Sequence, residues 1–295
     1  MTKRSQLPLI VIVGPTASGK TGLAIRLARE FGGEIISADS RAIYSGLDIG
    51  TAKPTEEEQQ LAPHWGIDIA LPSERFTAAD FKQYAVQKIA EIRSRGHVPL
   101  LVGGTGLYVD SVVYDYKFPD TSQELSERNS LDAMDLEELY DYCIKNNVNL
   151  PENYKNKRYV INAILRNGQA LKRRTRPIEN TYIVGISTDK TVLRKRIEDR
   201  AEGIFGQKVI EEAEEVARVH GWDNEAMTGN IYPLLRRYMT GELSITDAKR
   251  AFIALDWRLA KRQLTWLKRS EHIRWLSLDE AYTYCARVLA NLSNS

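Results

Sequence analysis

The stretch LIVIVGPTASGKT, residues 9–21, holds a strand, a turn and the start of a helix. Leu9 to Val13 are apolar and mostly β-branched, the composition of a strand covered on both faces of a parallel sheet. Gly14-Pro15-Thr16-Ala17-Ser18-Gly19-Lys20-Thr21 fits the phosphate-loop pattern G-x-x-x-x-G-K-S/T. Leu23, Ala24, Leu27 and Ala28 then recur at helical spacing, so the loop lies between a strand and a helix, the context this pattern requires. Gly14 and Gly19 let the backbone curl until its N–H groups converge, and the helix N-terminus adds partial positive charge. Gly14, Thr16, Ala17, Ser18, Gly19, Lys20 and Thr21 are therefore the expected phosphate-binding residues. Lys20 reaches the terminal phosphates and the Thr21 hydroxyl holds Mg²⁺. The loop alone leaves open whether the phosphate belongs to a nucleotide.

At 295 residues, with 43% hydrophobic and 27% charged residues, the composition is that of a globular chain with a core of ordinary size. A formal net charge of +2 excludes a global polycation, so nucleic-acid contacts must come from local patches. Two cysteines and four histidines, with no C-x-x-C, supply neither a disulfide framework nor a zinc site. The basic start MTKRSQ precedes a short apolar run that leads straight into the phosphate loop, so the run is a core strand and not a signal sequence. No apolar stretch is long enough to span a membrane. The expectation is a cytoplasmic, soluble protein, with a monomer as the default state.

Further along, residues 34–37 form a short strand ending in Ala38-Asp39-Ser40-Arg41, a polar cluster at the carboxyl end where open α/β sheets bind ligands. Residues 77–95 carry Phe81, Tyr84, Ala85, Ile89 and Ile92 on one helical face, with Thr77 as N-cap. Val98 to Val102 is a buried strand running into a second glycine-rich turn, Gly103-Gly104-Thr105-Gly106. Strands are expected again at 181–187 and 273–276, with helices near 189–200, 207–220 and 244–269 and a last one to about 292. The alternation predicts an α/β fold with a mostly parallel sheet flanked by helices. The expected core is 1–115 and 155–295. Residues 116–154 interrupt it as a small acidic helical insertion, and a basic stretch follows at 155–176.

GPTASGKT at 14–21, ISADSR-I-Y at 36–44, LDIGTAKP at 47–54, PH at 63–64, VGGTGLY at 102–108 and KRQLTW at 261–266 resemble, in family order, the tRNA dimethylallyltransferases (tRNA isopentenyltransferases). No Cys/His zinc module follows the core, so the likeness is to the bacterial type. The resemblance implies a P-loop-containing nucleoside triphosphate hydrolase-like fold whose loop grips dimethylallyl diphosphate. It implies transfer of the prenyl group to the N6 amine of the adenosine 3′ to the anticodon, in tRNAs reading codons that start with U. Asp39, Thr105 and Arg200 match the catalytic residues: Asp39 takes the amine proton, the Thr105 hydroxyl lies between diphosphate and adenine, and Arg200 reaches the diphosphate. Lys53 matches a lysine contacting phosphate or nearby backbone. Contacts with tRNA fall to Asp39, Ser40, Arg41, Ala42, Thr105, Arg158, Lys261, Arg262, Gln263 and Thr265.

Each residue also has a local reading: Asp39 as a turn aspartate, Thr105 as a turn threonine, Arg200 as a solvated helix end, Trp266 as core. The chain departs from the family at Ala42 (usually Gln), Trp65 (usually His), Tyr159 and Asn162 (usually Arg), and Ile231-Tyr232-Pro233 (usually G-Y-K/R). Rival functions are prenylation of free adenine nucleotides, an ATP-dependent small-molecule kinase, and an RNA-binding module with a degenerate site.

Overall fold

The structure, a computed structural model, describes residues 7–118, 124–152, 154–168 and 171–293. In chain order the elements begin β1 (Leu9–Val13), α1 (Lys20–Phe31), β2 (Gly33–Ser37), α2 (Glu56–Leu61), β3 (His64–Trp65), α3 (Ala78–Ser94), β4 (Val98–Gly103) and α4 (Gly106–Val113). Three helices follow, α5 (Glu124–Ala133), α6 (Leu136–Lys145) and α7 (Lys157–Leu165). The rest comprises β5 (Thr181–Ile186), α8 (Lys190–Ile204), α9 (Gln207–His220), a short 3-10 turn at Ala226–Thr228, α10 (Tyr232–Met239), α11 (Ile245–Leu267), β6 (Arg274–Leu276) and α12 (Leu278–Ser293).

The six strands pair in the order β3-β2-β4-β1-β5-β6, and every pairing is parallel. All five residues of β1 are fully buried because β1 lies between β4 and β5 and is covered on both faces. Ile10 and Ile12 point to the side packed by α1 and α12, where they meet Leu23, Leu27, Ala281 and Cys285. Where α3 packs against α4, Phe81 stacks on Tyr108 with ring centroids 4.2 Å apart. From β1 the chain moves to one side for β2, and after β4 it crosses to β5 on the other side. That reversal leaves a crevice at the carboxyl ends of β1 and β4, where the two glycine-rich turns emerge.

Two compact units divide the chain: Met1–Tyr114 with Arg176–Ser295, and Asp115–Thr175. The second unit thus extends past the expected 116–154 and takes in most of the basic stretch that the sequence assigned to the core. Its reason is apolar: Leu131, Leu139 and Cys143 from the acidic segment bury against Val160, Ile161, Ala163 and Ile164 of α7. The acidic helices are therefore amphipathic and have a core of their own. Asn162 accepts a hydrogen bond from Arg128 at 2.9 Å, so the position where the family carries arginine already faces one.

At the amino end of β2, Glu34 is 2% exposed and accepts hydrogen bonds from Trp65, Arg95 and His97 at 2.7–3.0 Å. Burial alone would raise its pKa, but the bonds from Arg95, His97 and Trp65 outweigh this and hold it at about 2. Trp65, which departs from the family's histidine, is one of the donors. Because the folded-state pKa is depressed, the stabilisation is complete above the ordinary glutamate value near 4.5 and drains away as pH falls toward about 2. Glu34→Gln should cost about 1–3 kcal/mol at pH 7. Urea melts of both proteins should converge as the pH drops below 4.5, and a gap that stays constant with pH would contradict the assignment.

Candidate active site

The phosphate loop takes the shape its glycines and a strained alanine allow. Gly19 caps α1 with φ 90°, and Ala17 also lies in the left-handed region at φ 61°. Two left-handed residues this close curl the main chain into an anion nest at the start of α1, whose first N–H groups have no partner within the helix. Gly14 has no room for a side chain, since an added Cβ would lie 2.7 Å from Ser18 Oγ. Ser18 itself is fully buried and its hydroxyl has no hydrogen-bond partner among the described residues. Lys20 Nζ donates to the Pro15 carbonyl at 3.2 Å. Burial pulls the Lys20 pKa down to about 8, with Asp39 opposing that shift and Arg200 adding to it. The two charged residues from distant segments thus act on one lysine.

A cavity of about 730 Å³ opens over this loop, and its walls include Lys20, Thr21, Asp39, Thr105, Arg200 and Arg262. Asp39 and Thr105 are held together by backbone. The Ala38 N–H donates to the Val102 carbonyl, and the Thr105 N–H donates to the Ala38 carbonyl. The Thr105 hydroxyl accepts from the Ser40 N–H at 3.0 Å and donates to the Ser40 hydroxyl at 3.3 Å. Thr105 begins α4 without capping it, and its side chain ties the two loops together instead. One Asp39 oxygen accepts from the Arg41 N–H at 2.9 Å, a local turn contact that leaves its other oxygen without a protein donor among the described residues. Arg41 reaches across to the Glu225 carbonyl at 2.7 Å. Ala42, 5% exposed, lines the cavity.

On the opposite wall, Arg200 near the end of α8 donates to the Thr16 hydroxyl at 2.5 Å and to Asp256 at 2.7 Å. It is therefore engaged at the loop and is not a merely solvated helix end. The KRQLTW segment occupies the last turns of α11 and divides in two. Gln263 accepts from the Thr16 N–H at 2.8 Å, and Trp266 packs on Gly106 while its ring N–H donates to Asp110 at 2.8 Å. Both are half-buried and bonded within the fold, Trp266 by its ring N–H and Gln263 by its amide oxygen. Lys261, Arg262 and Thr265 are exposed. The buried Lys53 is committed to the Tyr44 carbonyl, Asp48 and Asp68, a backbone strut at the cavity wall. The Arg158 side chain lies outside the described residues.

Residues that sequence reasoning passed over complete the frame. The Glu212 carboxylate on α9 accepts from the N–H groups of Asp48, Ile49 and Gly50 at 2.7–2.9 Å, and from the Tyr232 hydroxyl at 2.8 Å. This fastens the glycine-containing loop 46–54 to α9 and α10. Ile231 and Tyr232 fill the space over Gly50, where a Cβ would come within 2.9 Å of Ile231 and 2.5 Å of the Tyr232 hydroxyl. Pro233 lies in the first turn of α10, where no helical N–H bond is lost. No local pattern marks these partners, because each lies more than 150 residues from the loop it holds or turns on a single acidic side chain.

Residues 42–270 match the family model described as IPP transferase. The chain belongs to this family. A tRNA dimethylallyltransferase from Streptococcus uberis is 37% identical over 99% of this chain and 96% of its own. One from Staphylococcus carnosus is 35% identical over 97% and 95%. Among solved structures, the full-length tRNA isopentenylpyrophosphate transferase of Bacillus halodurans superposes with a TM-score of 0.73 at 33% identity, covering 97% of this chain and 98% of that one. A eukaryotic dimethylallyltransferase acting on tRNA shares the fold at a TM-score of 0.75 and 21% identity, covering 92% of this chain and 74% of the other. The IPP transferase fold is of the P-loop type, an α/β sheet flanked by helices, as the sequence implies.

The meeting of the two loops in this IPP transferase depends on Gly103. A Cβ there would lie 2.1 Å from the Ala38 carbonyl oxygen, a backbone atom that cannot swing aside. Gly103→Ala should destabilise the fold by about 1–3 kcal/mol or more and displace Asp39 from Thr105. A melting temperature within 1 °C of the parent (roughly the noise against the several-degree shift expected) would show that the loops separate freely.

Proposed function

We propose that this IPP transferase moves the dimethylallyl group of dimethylallyl diphosphate to the N6 amine of the adenosine 3′ to the anticodon, in tRNAs that read codons starting with U, and releases diphosphate. The observation that supports it best is that Asp39 and Lys20 line one cavity, the carboxylate facing the phosphate loop. Relatives named tRNA dimethylallyltransferase, matched over nearly the whole chain, support the reaction class. The phosphate loop, with Lys20 and Arg200, binds the diphosphate. As the amine nitrogen bonds to the allylic carbon, the carbon–oxygen bond to diphosphate breaks, and the nitrogen's proton passes to Asp39. An exocyclic amine is a weak nucleophile, so orientation and leaving-group stabilisation supply most of the acceleration. Thr105 fixes Asp39's turn against the second glycine-rich loop and offers its hydroxyl to the cavity.

The donor set suits Mg²⁺: the Thr21 hydroxyl lies at the cavity wall, and no cluster of three or more His, Cys, Asp or Glu among the described residues competes as an all-protein metal cage. Bound through Thr21 and the diphosphate, Mg²⁺ would offset charge on the leaving group. The acceptor is tRNA, held in part by the exposed Lys261, Arg262 and Thr265. No helix among the described residues is long and apolar enough to cross a membrane. We propose a monomer that acts in the cytoplasm, the compartment where a tRNA substrate would be met.

Incubation with dimethylallyl diphosphate, Mg²⁺ and unmodified tRNA, followed by nucleoside mass analysis, tests the proposal. AMP and ATP serve as rival substrates: prenylation of AMP alone, or ATP turnover without prenyl transfer, would overturn it. Asp39→Asn should lower turnover roughly 10²–10⁴-fold with little change in donor affinity, and near-parent turnover would remove Asp39 from the reaction. Arg262→Ala should weaken tRNA binding and lower the slope of log affinity against log salt by about one unit or slightly less. If neither changes, the end of α11 serves only the fold.

A further inference from the structure

Asp256, in the middle of α11, is 1% exposed and each oxygen of its carboxylate accepts a hydrogen bond. One oxygen accepts from Arg200 Nη2 at 2.7 Å, and the other accepts from the Asn230 amide at 2.8 Å. Asn230 sits between the 3-10 turn and α10, so the carboxylate is gripped from a second segment while it grips the arginine. Arg200 then turns its other terminal nitrogen to Thr16 in the phosphate loop, and its Nε is buried with no partner among the described residues. Nothing in the tRNA-transfer chemistry requires a buried acid here, and a carboxylate beside an anion site opposes anion binding by its own charge.

We infer that Asp256, braced by Asn230, is a positioning residue that holds the Arg200 guanidinium against the phosphate loop before the diphosphate arrives. Arg200 hangs on a flexible stem and is repelled by Lys20 across the same cavity. Left to itself it would gain rotamer freedom and hydration by swinging outward. A buried carboxylate fixes the planar group through Nη2 and leaves Nη1 turned to the loop, with the arginine at the cavity wall. The ordering cost is met on folding and not on binding. The net effect is tighter diphosphate binding despite the added negative charge, because a geometry fixed by two bonds to a buried carboxylate outweighs partial charge compensation at a site that retains Lys20 and the loop amides. The inference rests on the diphosphate reading above for its ligand.

Titration calorimetry with inorganic pyrophosphate and Mg²⁺ tests it on the full chain, using Asp256→Asn, Arg200→Ala and their combination. Asp256→Asn keeps the shape and should weaken pyrophosphate binding about 10–100-fold, the range of a hydrogen bond to a charged group. In the Arg200→Ala background the same change should have less than about a 3-fold effect, since a positioning residue acts only through its partner. Should Asp256→Asn fail to fold, Asn230→Ala, which leaves the ion pair in place, should weaken binding several-fold (about 2–10-fold) and again only when Arg200 is present. Equal effects with and without Arg200, unchanged affinity with a lowered melting temperature, or tighter binding in Asp256→Asn would each overturn the inference. Wild-type protein that fails to bind pyrophosphate would overturn the diphosphate reading itself, a result separable from loss of coupling.

Discussion

The candidate site depends on how closely two backbones approach. The carboxyl end of β4 lies so near Ala38 that Gly103 has no space for a side chain, and hydrogen bonds run both ways across that seam. From it follow the placement of Asp39, the bond from Ser40 to Thr105, and the proximity of both to a phosphate loop that leaves β1, the neighbouring strand. A parallel sheet delivers all of its carboxyl ends to one edge, so adjacent strands place their turns together without further design. What must be added is permission for contact. Gly103, Gly104 and Gly106 supply it: β-carbons there would strike Ala38, Gln263 and Trp266.

The opposing wall is made differently. It consists of side chains from α8 and α11 that lock onto the loop: Arg200 and Gln263 both fasten Thr16, one through the hydroxyl and the other through the backbone N–H. Glu212 performs the same service for residues 48–50. Backbone N–H groups in such turns are anion receptors, and here a glutamate fills one of them permanently. In the phosphate loop, by contrast, the Thr16 N–H meets the neutral amide of Gln263 and not a carboxylate. Two nests within one cavity wall are thereby told apart by whether the protein supplies its own anion.

Most of the sheet was legible in the sequence because buried parallel strands leave continuous apolar runs bounded by glycine, as at 9–13 and 98–103. Long helices with one apolar face were equally plain, and Thr77 caps α3 as its spacing with Asp80 implies. Short or atypical elements were not. β3 has only two residues, α2 has no buried face, and α10 carries a proline in its first turn that reads locally as a break. The acidic segment concealed a core because its apolar residues are few and complete their packing only with α7. At the site, motif residues around the loops could be named in advance, whereas Asp256, Asn230 and Glu212 could not. A lone acid in a helix carries no signal until its distant partner is known.

The departures from family pattern have physical contexts that local sequence does not disclose. Trp65 donates to a buried glutamate, Asn162 accepts from Arg128, and Ile231 closes over Gly50. Each is coupled to a neighbour whose chemistry suits the residue present: an arginine at 162 would face Arg128 with like charge, and a glycine at 231 would uncover the loop that Glu212 and Tyr232 fasten. These residues bear on fold and loop fixation, while Asp39, Thr105, Lys20 and Thr21 remain together at the cavity wall. Contact with a large polyanion can be shared among many weak phosphate bonds, so it tolerates redistribution of cations. A diphosphate cradle cannot be shared in that way, because each donor must reach the same few oxygens.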